Sequence, residues 1–321
     1  MKSKISQIAQ GLSEAQSVTL VSHIAPDGDT AGAVCAVALG LERLGKKVTR
    51  YCSDKIPARL TFLPGCDRFV QDLEMARASD CILAVDCAAP DRLGLGQCLL
   101  ELGKPVYVLD HHGSNRGFGD VCYVSDAPSV CEAVQRLLTE LGCTLDKEIA
   151  DCLYTGMVTD TGRFSFSGVT GDTLRLAADT VEAGADYVNI CKSQFQCRTL
   201  AATKLLGKAI GSMELYFDDR LAIMSVTGED MAACNGRLED MEGIVNYASE
   251  VEGVQIGIMI YPASGKWKVS LRAGGNARVD TVAQLLGGGG HAKAAGGRAQ
   301  GTLDEAKAQV INAVVEAKAL Q

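Results

Sequence analysis

Short apolar runs alternate with helix-like stretches through the first half of the chain. Four runs have the length and apolar content of buried strands, at 17–22, 48–53, 80–86 and 105–110. The stretch TAGAVCAVALGLERLG, which follows Asp29, has the apolar spacing of a helix that ends at Gly45. This alternation predicts an α/β domain with a mostly parallel sheet and helices on both of its faces.

The pattern changes further along the chain. Helical stretches dominate 129–185, and four strand-like runs follow, at 212–217, 220–226, 254–261 and 266–272. An amphipathic helix is predicted over 302–320. We therefore predict a first domain over 1–186, a linker or hinge helix over 187–210, and a smaller α+β domain over 211–321, with a cleft between the two domains.

Composition narrows the class of protein. Of the 321 residues, 47% are hydrophobic and 22% are charged, as in globular proteins with a sizeable core. No window approaches about 18 uninterrupted apolar residues, so no membrane span is predicted, and the start of the chain lacks the apolar core of a secretory signal. The thirteen cysteines are scattered and form no C-x-x-C pair. We interpret them as free thiols, which predicts a reducing, cytoplasmic location.

The charge is unevenly distributed. The net charge of −8 disfavours binding of long duplex DNA through a general basic surface. Six basic residues and a single acidic residue fall between Pro262 and Gln300. An acidic chain with one basic segment suits a small anionic ligand better than a polymer.

Histidine and aspartate side chains follow several of the predicted strands. The sequence HIAPDGD comes after the first strand, AVDC ends the third, and LDHH ends the fourth, while TDTG closes a predicted helix. Because ligands of an open α/β sheet bind beyond the carboxyl ends of its strands, these side chains are expected at one edge. Taken alone, each has a simpler explanation, since an aspartate such as Asp29 commonly caps the helix that follows it.

The acidic residues among them predict a pair of metal ions. Five carboxylates gathered at one edge repel one another unless cations compensate their charge. The predicted ligands of two divalent cations are His23, Asp27, Asp29, Asp86, His111 and Asp160. Asp86 is the carboxylate placed to bridge both ions. A carboxylate-rich set with imidazole favours manganese, with magnesium or cobalt as alternatives.

Two further residues of the LDHH stretch are predicted to take part in catalysis. His112 is left to face the substrate, where it donates a hydrogen bond to a phosphoryl oxygen or protonates the leaving group. Asp110 is expected to orient an imidazole from behind. The doubled histidine is thus explained by one ring that holds a cation and another that serves the substrate.

The stretch GGGGHAKAAGG at 287–297 is the second candidate site. A flexible linker is the simpler interpretation of a glycine run. Here the run lies inside the basic segment. A helix is expected to start at His-Ala-Lys-Ala-Ala, and the N-terminus of a helix favours an anion. The predicted phosphate-binding residues are Arg272, Gly288, Gly289, Gly290 and His291.

The same motifs carry a resemblance to a known family. HIAPDGD, VDC, DHH and TDTG resemble, in this order, the four metal motifs of the DHH phosphoesterases. SLRAGGNARVD followed by GGGGHAKAAGG resembles the DHH-associated C-terminal domain. The resemblance covers nearly the whole chain and is greatest to the bifunctional oligoribonucleases that also dephosphorylate 3′-phosphoadenosine 5′-phosphate, often called nanoRNases.

The resemblance implies a manganese-binding catalytic lobe and a C-terminal substrate lobe. It implies removal of 5′-mononucleotides from short RNA oligonucleotides of two to five residues, and conversion of 3′-phosphoadenosine 5′-phosphate to AMP. Attack is expected from a hydroxide that bridges the two cations, with phosphate contacts from His112, Arg272 and His291.

Other activities compete with this interpretation. The runner-up is a phosphodiesterase for cyclic dinucleotides or for their linear products such as pApA. Manganese pyrophosphatases have a different C-terminal domain, and exonucleases of long single-stranded DNA carry further domains. A catalytically silent nucleotide-binding regulator is expected to have lost at least one metal ligand, and here every position is filled. The preferred substrate and a homodimeric state stay open.

Overall fold

The computed structural model describes residues 3–196 and 198–320. The chain forms two compact units, Met1–Cys197 and Arg198–Gln321. The range 187–210 contains the helix Tyr187–Cys191 and all but the last residue of the helix Leu200–Gly211. The assignment of this range as a hinge stays a prediction.

The first unit contains a six-stranded sheet in which every neighbouring pair of strands is parallel. Its strands are β1 (Ser17–Val21), β2 (Lys47–Tyr51), β3 (Phe69–Val70), β4 (Cys81–Val85), β5 (Val106–Asp110) and β6 (Val121–Val124). They lie in the order β3-β2-β1-β4-β5-β6. The predicted α/β class is confirmed. The short edge strands β3 and β6 were not predicted, because two to four half-buried residues carry no periodic signal.

Helices cover both faces of this sheet. They are α1 (Lys4–Glu14), α2 (Gly28–Arg43), α3 (Leu73–Ala76), α4 (Val130–Glu140), α5 (Lys147–Asp160), α6 (Gly171–Glu182) and α7 (Tyr187–Cys191). Shorter 3₁₀ segments lie at Ala58–Leu60, Cys66–Arg68 and Pro90–Glu101, and a π-helical turn lies at Lys192–Gln196. The central strand β4 is buried along its whole length, as expected for a parallel strand covered on both faces.

Glycines bring α2 unusually close to α5. A side chain at Gly32 would collide with the backbone carbonyl of Cys152, and one at Gly28 would meet the hydroxyl of Thr159 at 2.5 Å. Because these positions carry no side chain, the two helices approach until their backbones nearly touch. This approach sets the distance between the acidic residue in the first turn of α2 and the one at the end of α5.

The second unit contains a mixed six-stranded sheet. Its strands are β7 (Glu214–Tyr216), β8 (Leu221–Ser225), β9 (Ile256–Ala263), β10 (Lys266–Ala273), β11 (Gly289–Gly290) and β12 (Ala294–Ala299), in the order β11-β12-β10-β9-β8-β7. Only β8 and β9 pair in parallel among these strands. The helices are α8 (Leu200–Gly211), α9 (Gly228–Ala233), α10 (Asn246–Ser249), α11 (Asp280–Leu285) and α12 (Leu303–Glu316), with a 3₁₀ segment at Leu238–Met241. The predicted smaller α+β domain is confirmed.

The prediction that a helix starts at His291 is wrong. Residues Gly289–Gly290 and Ala294–Ala299 form an antiparallel hairpin, closed where the amide of His291 donates to the carbonyl of Ala294 at 2.8 Å. Glycine and alanine are compatible with either structure locally, so pairing with a neighbouring strand decides. Gly288 is needed here for close approach, because a side chain would collide with the carbonyl of Gly296.

No helix among the described residues has both the length and the apolar character that crossing a bilayer requires. The twelve cysteines in the described ranges are all free thiols, most of them buried.

Candidate metal centre

Three neighbouring strands deliver the candidate ligands to one edge of the parallel sheet. Val21 at the end of β1 pairs with Ala84 of β4, so His23 and Asp86 lie at equivalent positions just beyond the two strands. Val85 pairs with Leu109, which places the Asp110–His112 stretch alongside Asp86. Because parallel strands share the direction of their carboxyl ends, the side chains meet at one point.

One group of candidate ligands is centred on His23. Its Nε2 lies 3.5 Å from Oδ2 of Asp86 and 3.9 Å from Oδ2 of Asp27. The other ring nitrogen, Nδ1, lies 2.7 Å from the carbonyl oxygen of Ile24. A proton on Nδ1 would therefore be held by the backbone, which directs Nε2 to the carboxylates.

A second group is centred on His111. Its Nε2 lies 3.3 Å from Oδ1 of Asp86, 3.4 Å from Oδ2 of Asp160 and 3.7 Å from Oδ2 of Asp29. Its Nδ1 lies 3.1 Å from the carbonyl oxygen of Ala127. In both groups the potential ligand atoms lie within 4.8 Å of one another. Asp86 thus faces one histidine with each of its carboxylate oxygens.

The burial of Asp86, its oxygen without a hydrogen-bond donor among the described residues and its backbone conformation suit a residue that binds a cation. It is 2% exposed, and its Oδ1 accepts no hydrogen bond from the described part of the chain. Its backbone adopts a left-handed conformation with φ of 58°, which is held by a 2.9 Å hydrogen bond from its amide to the carbonyl of Leu109. A buried carboxylate oxygen without a donor is costly, and a divalent cation would satisfy it. The residues present therefore fit a metal site.

Asp27 and Asp29 each combine a structural contact with an oxygen that faces the histidines. Asp27 caps α2, where its Oδ1 accepts from the amides of Asp29 and Thr30 at 3.1 and 3.0 Å. Asp29 accepts from the hydroxyl of Ser129 at 2.6 Å and from the amide of Val130 at 2.8 Å. The N-cap of α2 is thus Asp27, and the simpler explanation of Asp29 as the cap of this helix is wrong, because Asp29 lies in the first turn and its oxygens accept from Ser129 and Val130 instead.

The pKa values of the cluster show how strongly it demands positive charge. Burial alone would lower the pKa of His111, but the neighbouring carboxylate of Asp86, together with the other carboxylates, raises it to about 11. The pKa of His23 rises against its burial to about 9 for the same reason. Burial and neighbouring carboxylates raise the pKa of Asp29 to about 6 and that of Asp160 well above its usual range. The flanking imidazoles overcome burial and hold the pKa of Asp86 well below its usual range.

His112 belongs to a separate hydrogen-bonded chain behind the cluster. Its Nδ1 donates to Oδ1 of the buried Asp110 at 2.7 Å. The other oxygen of Asp110 accepts from Nδ2 of Asn115 at 2.7 Å, and Asn115 also donates to the carbonyl of Cys87. His112 lies close enough to form a third potential metal group with Asp86 and His111. Because Nδ1 of His112 is hydrogen-bonded to Asp110, that contact sets the orientation of the ring and therefore the direction of Nε2.

Sequence reasoning missed two residues that shape this centre. Asn115 fixes Asp110, and Ser129 both caps α4 and donates to Asp29. Ser129 carried a signal, since a serine before an apolar helix is typical of an N-cap. Asn115 carried none, because its loop has no periodic pattern.

Glycine spacing explains how Asp160 joins residues that follow strands. Asp160 is the last residue of α5, and Asp29 lies in the first turn of α2. A side chain at Gly156 would meet Oδ1 of Asp29 at 2.6 Å. The absence of that side chain allows the two carboxylates to approach the same imidazole.

The candidate phosphate-binding residues lie in the second unit. Arg272 of β10 pairs with Ala294 of β12, and Gly290 of β11 pairs with Ala295, so Arg272 and the glycine hairpin share one end of the sheet. The half-buried Arg272 side chain donates from Nε to Oδ1 of Asn246 at 3.1 Å, and burial lowers its pKa. Gly289 faces open space, and His291 is exposed.

Two aromatic residues of β9 and β10 contact the core of this unit. Tyr261 is 5% exposed and lies in the core of the unit. Trp267 packs partly against a second core cluster and donates from Nε1 to the carbonyl of Gly301 at 2.9 Å. Packing and the indole hydrogen bond therefore fix these two rings within the unit.

Family models match both parts of the chain. A model of the DHH family, N-terminal domain, matches residues 17–157, and a model of the DHHA1 domain matches residues 231–318. A protein of Thermus thermophilus named bifunctional oligoribonuclease and PAP phosphatase NrnA is 30% identical over 305 residues, which cover 93% of this chain and 89% of that protein.

Solved structures share the fold. A crystal structure of an exopolyphosphatase-related protein from Bacteroides fragilis superposes with a TM-score of 0.93 at 26% identity, covering 98% of this chain and 96% of that one. A crystal structure of the exonuclease RecJ bound to manganese has a TM-score of 0.57 at 18% identity, and covers 99% of this chain and 95% of that one. At that identity the second likeness concerns the fold alone.

Proposed function

Because the chain belongs to the DHH family and is a phosphoesterase that acts on nucleotides, we propose that it hydrolyses short RNA oligonucleotides to 5′-mononucleotides. We further propose that it converts 3′-phosphoadenosine 5′-phosphate to AMP. The name of the Thermus thermophilus relative supports both substrates. The observation that carries the proposal is the buried Asp86, whose two oxygens face two separate groups of histidine and aspartate.

The first unit would hold two divalent cations, with manganese as the first candidate. The proposed ligands are His23, Asp27, Asp29, Asp86, His111 and Asp160. When bound, the cations would lower the pKa of the attacking water and neutralise the charge that develops on the phosphoryl group. Hydrogen bonds from Ser129 and the amide of Val130 keep Asp29 in position for this purpose.

His112 is proposed as the residue that protonates the leaving oxygen. The hydrogen bond from its Nδ1 to Asp110 stabilises a positively charged ring and fixes its orientation. Asp110 is in turn fixed by Asn115. This chain of contacts supports a proton donor whose position depends on residues that themselves do not touch the substrate.

The second unit is proposed to bind substrate phosphates. Arg272 would supply a guanidinium, and His291 with the backbone amides of Gly288, Gly289 and Gly290 would supply further donors. Support comes from the register, which brings Arg272 and the glycine hairpin to one end of the sheet. A cytoplasmic location and a homodimer also stay predictions.

Product analysis tests the proposed function. Purified protein is incubated with 5′-phosphorylated RNA two-mers to five-mers, pApA among them, with 3′-phosphoadenosine 5′-phosphate, and with cyclic dinucleotides, each with Mn²⁺ or with a chelator. We expect 5′-mononucleotides and AMP from the first two classes only in the presence of the metal. Turnover of cyclic dinucleotides and pApA, with the three-mers to five-mers and 3′-phosphoadenosine 5′-phosphate left intact, would favour the alternative phosphodiesterase, and binding without turnover would indicate a regulator.

Replacing Asn115 with alanine is expected to lower kcat about 10- to 100-fold with little change in KM, because Asp110 and His112 lose their support. The measurement is steady-state hydrolysis of pApA with saturating Mn²⁺. Asn189→Ala is the matched control, since Asn189 makes the same 2.7 Å contact with an aspartate, Asp186, at the surface. A kcat loss of similar size in both variants would contradict the positioning role of Asn115.

Replacing Arg272 with alanine is expected to raise KM about 10- to 100-fold, because a charged hydrogen bond to phosphate is lost. Affinity for Mn²⁺, measured by calorimetry, should be unchanged. Arg298→Ala on the neighbouring strand β12 serves as the control, since Arg298 is exposed and pairs in register with Lys268. Loss of Mn²⁺ binding in Arg272→Ala would show that its assignment to the substrate is wrong.

A further inference from the structure

The segment that follows Asp160 has an uncommon backbone. Three consecutive residues, Gly162, Arg163 and Phe164, adopt left-handed conformations with φ of 56°, 62° and 60°. A bulky residue at positive φ is rare, and a strained run of this kind persists only where surrounding contacts impose it. Strain at such a place is typical of functional sites.

Contacts with the last turn of α5 impose this conformation. The amide of Arg163 donates to the carbonyl of Val158 at 2.9 Å, and the amide of Phe164 donates to the hydroxyl of Thr161 at 3.0 Å. The amide of Phe166 donates to the carbonyl of Thr161 at 3.1 Å. Thr161 is fully buried. The segment is therefore fixed to the end of the helix that carries Asp160.

The two phenylalanines of the segment have opposite environments. Phe164 packs against the core of the unit, and its ring centroid lies 6.0 Å from that of Tyr154. Phe166 is 51% exposed. Its ring rests on Gly162, where any side chain would collide with ring atoms Cε1 and Cζ. One part of the Phe166 ring is thus supported by backbone two residues beyond Asp160, and the rest is open.

The same segment also borders the His111 side of the metal centre. A side chain at Gly168 would be in van der Waals contact with Pro128, at 3.5 Å. Pro128 follows Ala127, whose carbonyl oxygen lies 3.1 Å from Nδ1 of His111. The segment that carries the exposed ring is therefore connected to the cluster at two places, at the end of α5 and next to Pro128.

We propose that Phe166 is a substrate-binding residue, on which a nucleobase of the substrate stacks. The inference rests on the proposed function and adds the residue that recognises the base. Stacking on an aromatic ring is available to every base, so it suits an enzyme that accepts different sequences. The support from Gly162 keeps the ring from turning away, so little freedom is lost when a base binds.

Hydrolysis of two paired substrates tests this role. One is pApA, and the other is the same 5′-phosphorylated dinucleotide without either base. Phe166→Ala and Phe166→Leu are expected to lower kcat/KM for pApA about 5- to 150-fold and to leave the base-free substrate unaffected. Phe166→Trp is expected to retain or exceed the wild-type value, because its larger ring stacks more strongly. Phe62→Ala, at another exposed phenylalanine of the unit, should change neither substrate.

The outcomes separate this inference from the proposed function. Equal losses on both substrates, unchanged turnover of pApA, or the same loss in Phe62→Ala would overturn the stacking role. Thermal unfolding of each variant identifies a folding defect, and Phe166→Trp then decides, since loss of activity in a folded tryptophan variant also contradicts stacking. If the wild-type enzyme hydrolyses neither substrate nor RNA two-mers to five-mers, the proposed function fails and this inference fails with it.

Discussion

Asp86→Asn is expected to lower kcat/KM for short RNA by about three orders of magnitude or more. The substitution removes one negative charge from a carboxylate that lies 3.5 Å from His23 and 3.3 Å from His111. An amide offers a single weak oxygen ligand, whereas the carboxylate would offer two anionic oxygens to the two proposed cations. Both metal groups should therefore be weakened at once, and affinity for Mn²⁺ should fall together with the rate.

The backbone makes this substitution a clean test. Asp86 has φ of 58°, and asparagine is among the few residues that adopt this conformation readily. Asp219→Asn is the matched control, because Asp219 has φ of 62° and is exposed in the second unit. Steady-state kinetics and calorimetric Mn²⁺ titration measure the two effects. Near-normal turnover in Asp86→Asn would contradict the bridging role.

His112→Asn is expected to lower kcat about 10²- to 10⁴-fold while affinity for Mn²⁺ changes little. The asparagine amide can still donate to Asp110, as Nδ1 of His112 does at 2.7 Å, so the support behind the ring is kept. What is lost is the ring's second nitrogen, which is proposed to protonate the leaving oxygen.

The nature of the leaving group provides an internal control for His112. A nucleotide p-nitrophenyl ester releases a stable anion that needs no proton, so His112→Asn should affect it much less than an RNA dinucleotide. Equal losses on both esters would argue against proton donation. A large loss of Mn²⁺ affinity would instead identify His112 as a metal ligand, as its membership of the third potential group with Asp86 and His111 permits.

Much of the first unit could be predicted because its strands, and the polar residues that follow them, can be recognised from short stretches of sequence. Each of β1, β4 and β5 is a short apolar run, and the polar residues come directly after it. Parallel strands point their carboxyl ends to the same edge, so His23, Asp86 and His111 were expected at one edge once the α/β class was recognised, and the strand order β1-β4-β5 makes them neighbours. The smaller α+β unit was also predicted from short strand-like runs, except for its glycine hairpin.

The hairpin at Gly289–Gly290 shows where local reasoning fails. Alanine favours a helix, whereas glycine disfavours helix and strand alike, so the sequence GGGGHAKAA does not decide locally between a helix start and a strand. Pairing of Gly289 with Gly296 decides in favour of the strand. That contact joins separate strands, and no periodic pattern announces it.

The sequence by itself determined the fold class of both units, the edge at which the acidic and imidazole side chains collect, and the chemical types gathered there. Only the tertiary structure decided which oxygen of Asp86 faces which histidine, how Asp160 reaches the cluster, and that Asn115 and Ser129 hold its members in place. The physical reason is the separation along the sequence between the residues that interact. Strand and helix patterns are set by neighbours along the chain, whereas Ser129 meets Asp29 only because two backbones approach closely across 100 residues of sequence.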